Sequence, residues 1–299
     1  MNELQLLSPN VLTPWVLRNR PFHWGQRTYL MGILNVTPDS FSDGGNFDGP
    51  DAAVAQAQRL EQAGVDMLDI GGQSTRPNAP DLPLALELDR VIPVITAIRR
   101  VSDIPLSVDT TKAAVARAAI AAGADVINDI SGTTYDPAML PTVAELEVPI
   151  ILMHLRGTPQ TMQQLTDYDD LMGEVTAFLE QRVAATVAAG IPQHHIAIDP
   201  GIGFAKTGVQ NIELLRHLGD LHRLGCPILV GPSRKSFIGQ ILNQPDPKAR
   251  VWGTAAACCA AIATGADILR IHDGPEMVDV CRMADALWRT ERTSFPLLE

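Results

Sequence analysis

Eight short apolar runs, each rich in Val, Ile and Leu, define the predicted strands of the chain. They are TYLMGILNV, DMLDIG, IPLSVD, DVINDI, PIILMH, IAIDPG, CPILVG and DILRIH. None alternates regularly between polar and apolar positions, as a half-exposed antiparallel strand does. The runs therefore predict strands of a parallel sheet that is covered on both faces.

Segments with helical periodicity lie between these runs. KAAVARAAIAAG follows Thr110 and Thr111, which are N-cap candidates, and it ends at Gly123. LMGEVTAFLEQRVAATVAAG carries an apolar stripe on one face, which stops before Gly190 and Pro192. The stripe consists of Leu171, Val175, Phe178, Leu179 and Val183.

Strand and helix alternate eight times within 299 residues, which favours a single-domain α/β fold, the (β/α)8 TIM barrel. Short right-handed crossovers would bring the eighth strand beside the first. A doubly wound open sheet is the alternative. Because no Pro/Ser-rich linker divides the chain, we expect residues 1–27 to form a short N-terminal extension and residues 28–299 to form the barrel.

Charge and composition narrow the classes of function. The net charge of −11 is spread along the chain without a basic block, so nucleic acid is not expected as a partner. The N-terminus lacks the pattern of a secretory leader, and no apolar run reaches the length of a membrane span. The four cysteines have neither metal-ligand spacing nor the density of a disulfide scaffold. We therefore expect a cytoplasmic protein with no membrane partner.

Polar residues gather at the carboxyl ends of the eight runs, which share one face in a barrel. Taken singly, Asp109 could cap a helix, Asn128 and Asp129 could close a turn, and His154 could be a hydrogen-bonded core histidine. Together they predict a functional site, since active sites of barrels are built at this face. The set is Asn35, Asp69, Asp109, Asn128, Asp129, His154, Asp199, Ser233, Arg234, Lys235, Arg270 and His272. Three aspartates at the opposite strand ends are expected to be structural, namely Asp66, Asp125 and Asp267.

The residue types at this face indicate two kinds of ligand group. Asp109, Asn128 and Asp199 can pair with the donor and acceptor edge of a heterocycle, where an unmade buried hydrogen bond costs about 1–3 kcal/mol. The cationic side chains suit an anion such as a phosphate. These are Arg76, Lys235, Arg270 and His272.

Seven segments in order between residues 31 and 273 resemble those of the dihydropteroate synthases. They are MGILNVTPDSFSDGG, DIGGQSTRP, SVDTTK, INDISG, DPGIGFAKT, GPSRKSFIG and LRIHD. The resemblance implies a (β/α)8 barrel that joins 6-hydroxymethyl-7,8-dihydropterin diphosphate to p-aminobenzoate in folate biosynthesis. It also implies a requirement for Mg²⁺ and the release of pyrophosphate.

The same resemblance assigns roles to individual positions. The implied substrate-binding residues are Thr75, Asp109, Asn128, Met153, Asp199, Phe204, Gly231, Lys235, Arg270 and His272, and the implied metal ligand is Asn35. Arg76 would approach the diphosphate, while Lys235 and Ser236 would lie beside p-aminobenzoate. The expected catalytic set is Asp39, Phe41, Thr75, Arg76, Lys235 and Ser236.

The stretch LNVTPDSFSDGG is expected to form a loop over the barrel mouth. Its glycines and Pro38 permit a long excursion, Asp39 and Asp43 can engage a metal or a neighbouring loop, and Phe41 can wall the second substrate's ring. The alternative is a surface loop whose phenylalanine packs sideways. No strong general base is needed, because a neutral arylamine attacks with its own lone pair.

Departures from the family pattern, and rival functions, stay open at this point. Gln73 replaces a usual glutamate, and Leu155 and Arg156 replace a more usual Met and Gln. A methyltransferase that binds a reduced pterin and a catalytically silent pterin-binding module are the alternatives. The family is usually dimeric, and MVDVCRMADALW, with Met277, Val280, Ala284 and Leu287 at helical spacing, can pack on the barrel or against a partner.

Overall fold

The computed structural model describes residues 12–36 and 50–289. Within these ranges each of the eight predicted runs contains one strand of a single parallel ring. In chain order the strands are Trp15–Leu17 (β1), Arg20–Phe22 (β2), Tyr29–Asn35 (β3), Met67–Gly71 (β4), Leu106–Asp109 (β5), Val126–Asp129 (β6), Ile150–Met153 (β7), Ile196–Asp199 (β8), Leu229–Val230 (β9) and Ile268–Ile271 (β10).

The ring order is β8-β7-β6-β5-β4-β3-β10-β9, and every neighbouring pair is parallel. A parallel bridge between Ile198 and Ile228 joins β8 to the segment that leads into β9, and this contact closes the ring. The predicted TIM barrel is therefore confirmed, and the open sheet is excluded.

Helices follow the barrel strands and cover the outside of the ring. They are Pro50–Ala63 (α1), Leu84–Arg99 (α2), Ala113–Ala122 (α3), Met139–Leu146 (α4), Leu171–Ala188 (α5), Gly208–Arg216 (α6), Ser236–Leu242 (α7), Val251–Ala263 (α8) and Gly274–Trp288 (α9). In the described ranges no helix combines the length and the apolar composition that a membrane span requires.

The apolar stripe predicted for α5 is confirmed, because Leu171, Val175, Leu179 and Val183 are buried and Phe178 packs against the same core. The N-cap prediction for α3 is wrong. Lys112 occupies the cap position without a side-chain hydrogen bond; the Thr110 hydroxyl donates to Glu87 and accepts the Lys112 N–H, and Asp136 Oδ2 accepts the Ala113 N–H at 2.8 Å. Gly123 ends α3 as predicted, with a left-handed φ of 113°.

The amino ends of the strands are sealed by an antiparallel hairpin of β1 and β2. Trp15, Phe22 and Trp24 pack in one buried cluster with inward-facing residues of the barrel. The predicted boundary at residue 27 stays a prediction, although this packing ties the described part of the extension to the barrel. Apolar side chains thus fill one end of the barrel and leave the other end for polar groups.

Three aspartates at the amino ends of strands are structural, as predicted. Asp66 accepts hydrogen bonds from the backbone of Leu30 and from Arg27. Asp125 pairs with Arg99, and Asp267 accepts backbone N–H groups from the hairpin side and from the segment leading into β9. These contacts fasten the sealed end of the barrel.

Candidate active site

The inward-facing positions of the strands supply the polar groups of the barrel mouth. Successive side chains of a strand point to opposite faces, so a residue two positions after a buried inner one also points inward. In β4 this rule places Asp69 above Met67, and in β8 it places Asp199 above Ala197. At the carboxyl ends of the strands, the inward-facing positions are occupied by Asn35, Asp69, Asp109, Asn128, Met153, Asp199, Gly231 and Arg270.

Arg270 is the centre of a buried ion-pair network in this set. Its Nε donates to Asp69 Oδ2 at 2.6 Å, and its Nη2 donates to Asp109 Oδ2 at 2.8 Å. Asn128 Nδ2 donates to the same Asp69 oxygen at 3.1 Å. No individual role was predicted for Asp69, yet this fully buried carboxylate aligns both Arg270 and Asn128. Burial raises the pKa of Asp109, and Arg270 opposes that rise.

Asp199 and Lys235 form a second charged part of the mouth. Burial raises the pKa of Asp199 to about 6, against the hydrogen bond that Oδ1 accepts from the Gly201 N–H at 2.7 Å and the fields of nearby cations. Burial and Arg270 lower the pKa of Lys235 to about 8. The Lys235 ammonium lies 4.0 Å from the centre of the Phe204 ring, so the two side chains fix each other.

An apolar wall adjoins these charges. Met153 and Phe204 pack in one buried cluster with Leu155, one of the two departures at the end of β7. The other members are Ile130, Met162 and Ala205. The other departure, Arg156, points away from this cluster: it stacks on Tyr168 at 3.7 Å and pairs with Glu174. A flat heterocycle could therefore lie between an apolar wall and the ionic network.

His154 is a hydrogen-bonded core histidine, which is the structural alternative that the sequence analysis gives for it. Its Nδ1 lies 3.0 Å from Nζ of buried Lys206, which also donates to the Phe204 carbonyl at 2.9 Å. Burial, followed by the charges of Lys206 and Arg156, lowers the pKa of His154 to about 2, so the neutral ring accepts from the lysine. No role is predicted for Lys206 from the sequence, although it lies within the quoted segment DPGIGFAKT.

Asp129 likewise has the structural role that the sequence analysis gives as an alternative, which is to close a turn. Its carboxylate accepts from the backbone N–H groups of Ser131 and Thr133 and from the Ser131 hydroxyl. It therefore closes the turn after β6 and faces away from the mouth.

His272 and Ser233 form a neutral donor group beside the cations. Ser233 Oγ accepts the backbone N–H of His272 at 3.1 Å and lies 2.9 Å from its Nδ1. Burial, then Arg234 and the other cations of the mouth, lower the pKa of His272 to about 3. In the tautomer where the Ser233 hydroxyl donates to Nδ1, the ring proton is on Nε2 and is free to donate to a ligand.

The loop between β4 and α2 carries Thr75 and Arg76. Arg76 is exposed and close enough to His272 to lower its pKa. Thr75 and Asp109 line a cavity of about 430 Å³ that extends over β5, β6 and β7. Lys235 and Ser236 lie across the barrel, and Ser236 is the exposed first residue of α7.

Asn35 is the described residue that fits a magnesium ligand. Its Oδ1 lies 3.8 Å from the point that a Cβ on Gly71 would occupy, beside Asp109. Within the described ranges, no group of three or more His, Cys, Asp and Glu side chains could hold a metal by itself. An amide oxygen beside a carboxylate suits Mg²⁺, which takes few protein ligands together with phosphate oxygens. Asp39 and Phe41 lie outside the described residues.

Comparison with known proteins decides the family. A family model described as pterin binding enzyme matches residues 31–272. A dihydropteroate synthase of Synechocystis is 57% identical over 97% of this chain and 100% of its own length. The chain belongs to the dihydropteroate synthases. It is therefore a transferase of folate biosynthesis, which excludes the methyltransferase and the silent binding module.

Other dihydropteroate synthases agree in sequence and in structure. The Bacillus subtilis enzyme is 43% identical over 91% of this chain and 93% of its own length. Crystal structures from Yersinia pestis, with a sulfonamide drug complex, and from Xanthomonas albilineans, with 4-aminobenzoic acid, each match with a TM-score of 0.86 at 44% identity. Each match covers 92% of this chain and 98% of the other chain.

Proposed function

We propose that the barrel mouth catalyses the dihydropteroate synthase reaction with the residues assigned below. The reaction condenses 6-hydroxymethyl-7,8-dihydropterin diphosphate with p-aminobenzoate to give 7,8-dihydropteroate and pyrophosphate. The observation that carries the assignment is the convergence of Asp109, Asn128 and Asp199 on one buried site beside Arg270 and His272. The convergence supplies hydrogen-bonding groups for a heterocycle next to donors for an anion.

The pterin lies between the apolar wall and the ionic network. Asp199 and Asn128 hydrogen-bond to its amino-pyrimidine edge, while Met153 and Phe204 contact a ring face. Gly231 leaves room above Arg270, since a Cβ there would lie 3.7 Å from the Arg270 Cβ. A ligand without the hydrogen-bonding groups of this edge would leave Asp199 and Asn128 without partners. The cost of those unmade hydrogen bonds supplies specificity for a pterin.

The diphosphate lies over the cationic side of the mouth. Arg76 and the Nε2 proton of His272 donate to its oxygens, and Arg270 adds positive charge from below. Thr75, on the same loop, lines the cavity and contacts the substrate. Donors of this kind stabilise the departing oxygens more in the transition state than in the ground state, because the negative charge on them grows as the bond breaks.

The bond between the exocyclic carbon and the diphosphate oxygen breaks, and the electron pair leaves with pyrophosphate. Positive charge then spreads into the pterin ring, where the carboxylates of Asp109 and Asp199 oppose it electrostatically. The neutral arylamine nitrogen forms the new carbon–nitrogen bond and afterwards loses one proton. No residue has to act as a strong base.

Asn35 would hold Mg²⁺ together with diphosphate oxygens, and the ion would neutralise charge on the leaving group. The second substrate, p-aminobenzoate, would lie beside Lys235 and Ser236. Asp39 and Phe41 are assigned by family resemblance to the loop that covers it. These assignments extend the family function to particular atoms of this chain.

Exposed apolar side chains on the later helices support a homodimer. Val209 of α6, Ile241 of α7 and Trp252 of α8 are 75%, 63% and 74% exposed. On α9, Met277 and Ala284 are buried on the barrel, whereas Leu287 is exposed. Such side chains on neighbouring helices favour a partner of the same kind. A cytoplasmic location, and the division of the chain into an extension (residues 1–27) and a barrel (residues 28–299), are further parts of the proposal.

The reaction is tested by mixing the protein with Mg²⁺, the pterin diphosphate and p-aminobenzoate. Both dihydropteroate and pyrophosphate should form, and both should be absent without p-aminobenzoate. Asp199→Ala should weaken pterin binding strongly, whereas Arg270→Ala should mainly lower kcat. Equal losses of both parameters in both variants would contradict the assigned roles.

A further inference from the structure

Lys112, in the connection between β5 and α3, contacts both ends of the loop at 72–83. Its Nζ donates to Gln73 Oε1 at 2.8 Å, near the start of the loop. The same atom lies 3.5 Å from Asp81 Oδ1, near the end of the loop. One ammonium group therefore joins two points that are separated along the chain by Thr75 and Arg76.

The ammonium group is itself anchored in the core. Lys112 Nζ donates to Glu87 Oε2 at 2.7 Å, and Glu87 is only 1% exposed. The second Glu87 oxygen accepts the Thr110 hydroxyl at 2.5 Å. Glu87 lies in the first turn of α2, immediately after the loop. Lys112 thus ties the Gln73 end of the loop to a buried carboxylate, whereas the Asp81 side chain at the other end is 76% exposed.

Two further contacts define the course of the loop. Arg90 of α2 donates to the Gly72 carbonyl at 2.9 Å, and the Asn78 N–H donates to the Pro159 carbonyl at 3.0 Å. The loop tip therefore reaches across the mouth to the β7 side. Arg76 has a long side chain in an exposed position, so its placement depends on the backbone that carries it.

We infer that Lys112 is a positioning residue for the transfer reaction. Its ammonium group holds both ends of the 72–83 loop, so that Thr75 and Arg76 stay over the diphosphate. The inference rests on the proposed role of Arg76 and adds the residue that makes that role possible. Misplacement of a charged group by about 1 Å can cost up to about 100-fold in rate, so a released loop should lower turnover although the chemical groups are all present.

Gln73 gives the arrangement a testable charge signature. Its amide oxygen is a neutral acceptor, so among the described residues the positive charge of Lys112 is paired with Glu87 and Asp81. Gln73→Glu should strengthen the contact while Lys112 is present. In a background that combines Lys112→Met with Glu87→Gln the same change should loosen the loop, because the introduced carboxylate would then face Asp81 without a cation.

The test uses Gln73→Ala combined with Asp81→Ala, which removes the loop contacts but leaves the buried pair of Lys112 and Glu87. Three quantities are compared with those of the unaltered enzyme. They are the hydrogen exchange of peptides covering 73–83, kcat/KM for the pterin diphosphate, and the affinity for 6-hydroxymethylpterin, which has no diphosphate. Glu180→Ala combined with Gln181→Ala, at two exposed positions of α5, is the matched control. A second variant removes Lys112 itself: Lys112→Met is combined with Glu87→Gln, so that no buried carboxylate is left without its cation.

In the variant with Gln73→Ala and Asp81→Ala we expect faster hydrogen exchange of the loop and a kcat/KM about tenfold lower. The affinity for 6-hydroxymethylpterin should be unchanged. The sign change of Gln73→Glu between the two backgrounds should accompany it. Unchanged loop exchange, or an equal loss of affinity for 6-hydroxymethylpterin, would overturn the inference. Failure of the proposed function would be distinct, since the unaltered enzyme would then form no dihydropteroate.

Discussion

Replacing Arg270 by Met tests whether the ion-pair network holds the mouth together. The change removes the cation from two carboxylates whose side chains are 0% and 7% exposed, Asp69 and Asp109. Breaking a buried pair by removing one partner costs about 3–5 kcal/mol, because the remaining charge is uncompensated. We expect a loss of this size in the free energy of unfolding at pH 8, measured by urea denaturation.

The pH dependence of that loss has a defined sign. Burial already raises the pKa of Asp109, and Arg270 lowers it. Without Arg270 the folded-state pKa rises further above the unfolded value, so the folded variant binds more protons than its unfolded chain does. Stability of the variant relative to the unaltered enzyme should therefore improve as the pH falls from 8 to 5.5, where protonation removes the uncompensated charge.

Two further variants make the result specific. Arg156→Met removes an arginine from a pair with Glu174 whose side chains are 28% and 37% exposed, and we expect a cost of at most about 1 kcal/mol. Asp69→Asn in the Arg270→Met background should recover part of the stability at pH 8. A cost below about 1 kcal/mol for Arg270→Met, or a cost that is the same at both pH values, would refute the reasoning.

Two other predictions concern the pterin pocket. Pterin affinity, measured by calorimetry, should fall as the pH drops through about 6, the pKa of Asp199, because the protonated carboxyl cannot accept as strongly; Asp199→Asn should bind weakly at every pH, and a flat profile for the unaltered enzyme would count against this. Gly203→Ala should lower pterin affinity about tenfold, since its Cβ would lie 2.8 Å from Lys235 Cδ at a φ of 82°. Gly190→Ala, at a φ of 99° with no atom within 4 Å, should carry only the backbone cost, and similar affinities for the two variants would contradict the steric explanation.

Much of this protein is determined locally by its sequence. Runs of apolar residues specify strands wherever both faces are covered, and all eight were placed correctly for that reason. The polar residues at the strand ends, including Asp109 and Asp199, were found because parallel strands bring their carboxyl ends to one face. Gly123 was found as a helix stop because a left-handed backbone favours glycine.

Which side chains meet was decided by the tertiary structure. Arg270 pairs with Asp69 across 201 positions of the chain, and that pairing exists only because the ring places β10 beside β3, which in turn pairs with β4. Thr110, beside a helix start, donates instead to a buried glutamate that the sequence places in another element. Local periodicity specifies the face on which a residue lies, whereas a charge finds its partner only when barrel closure fixes the distances and removes the water.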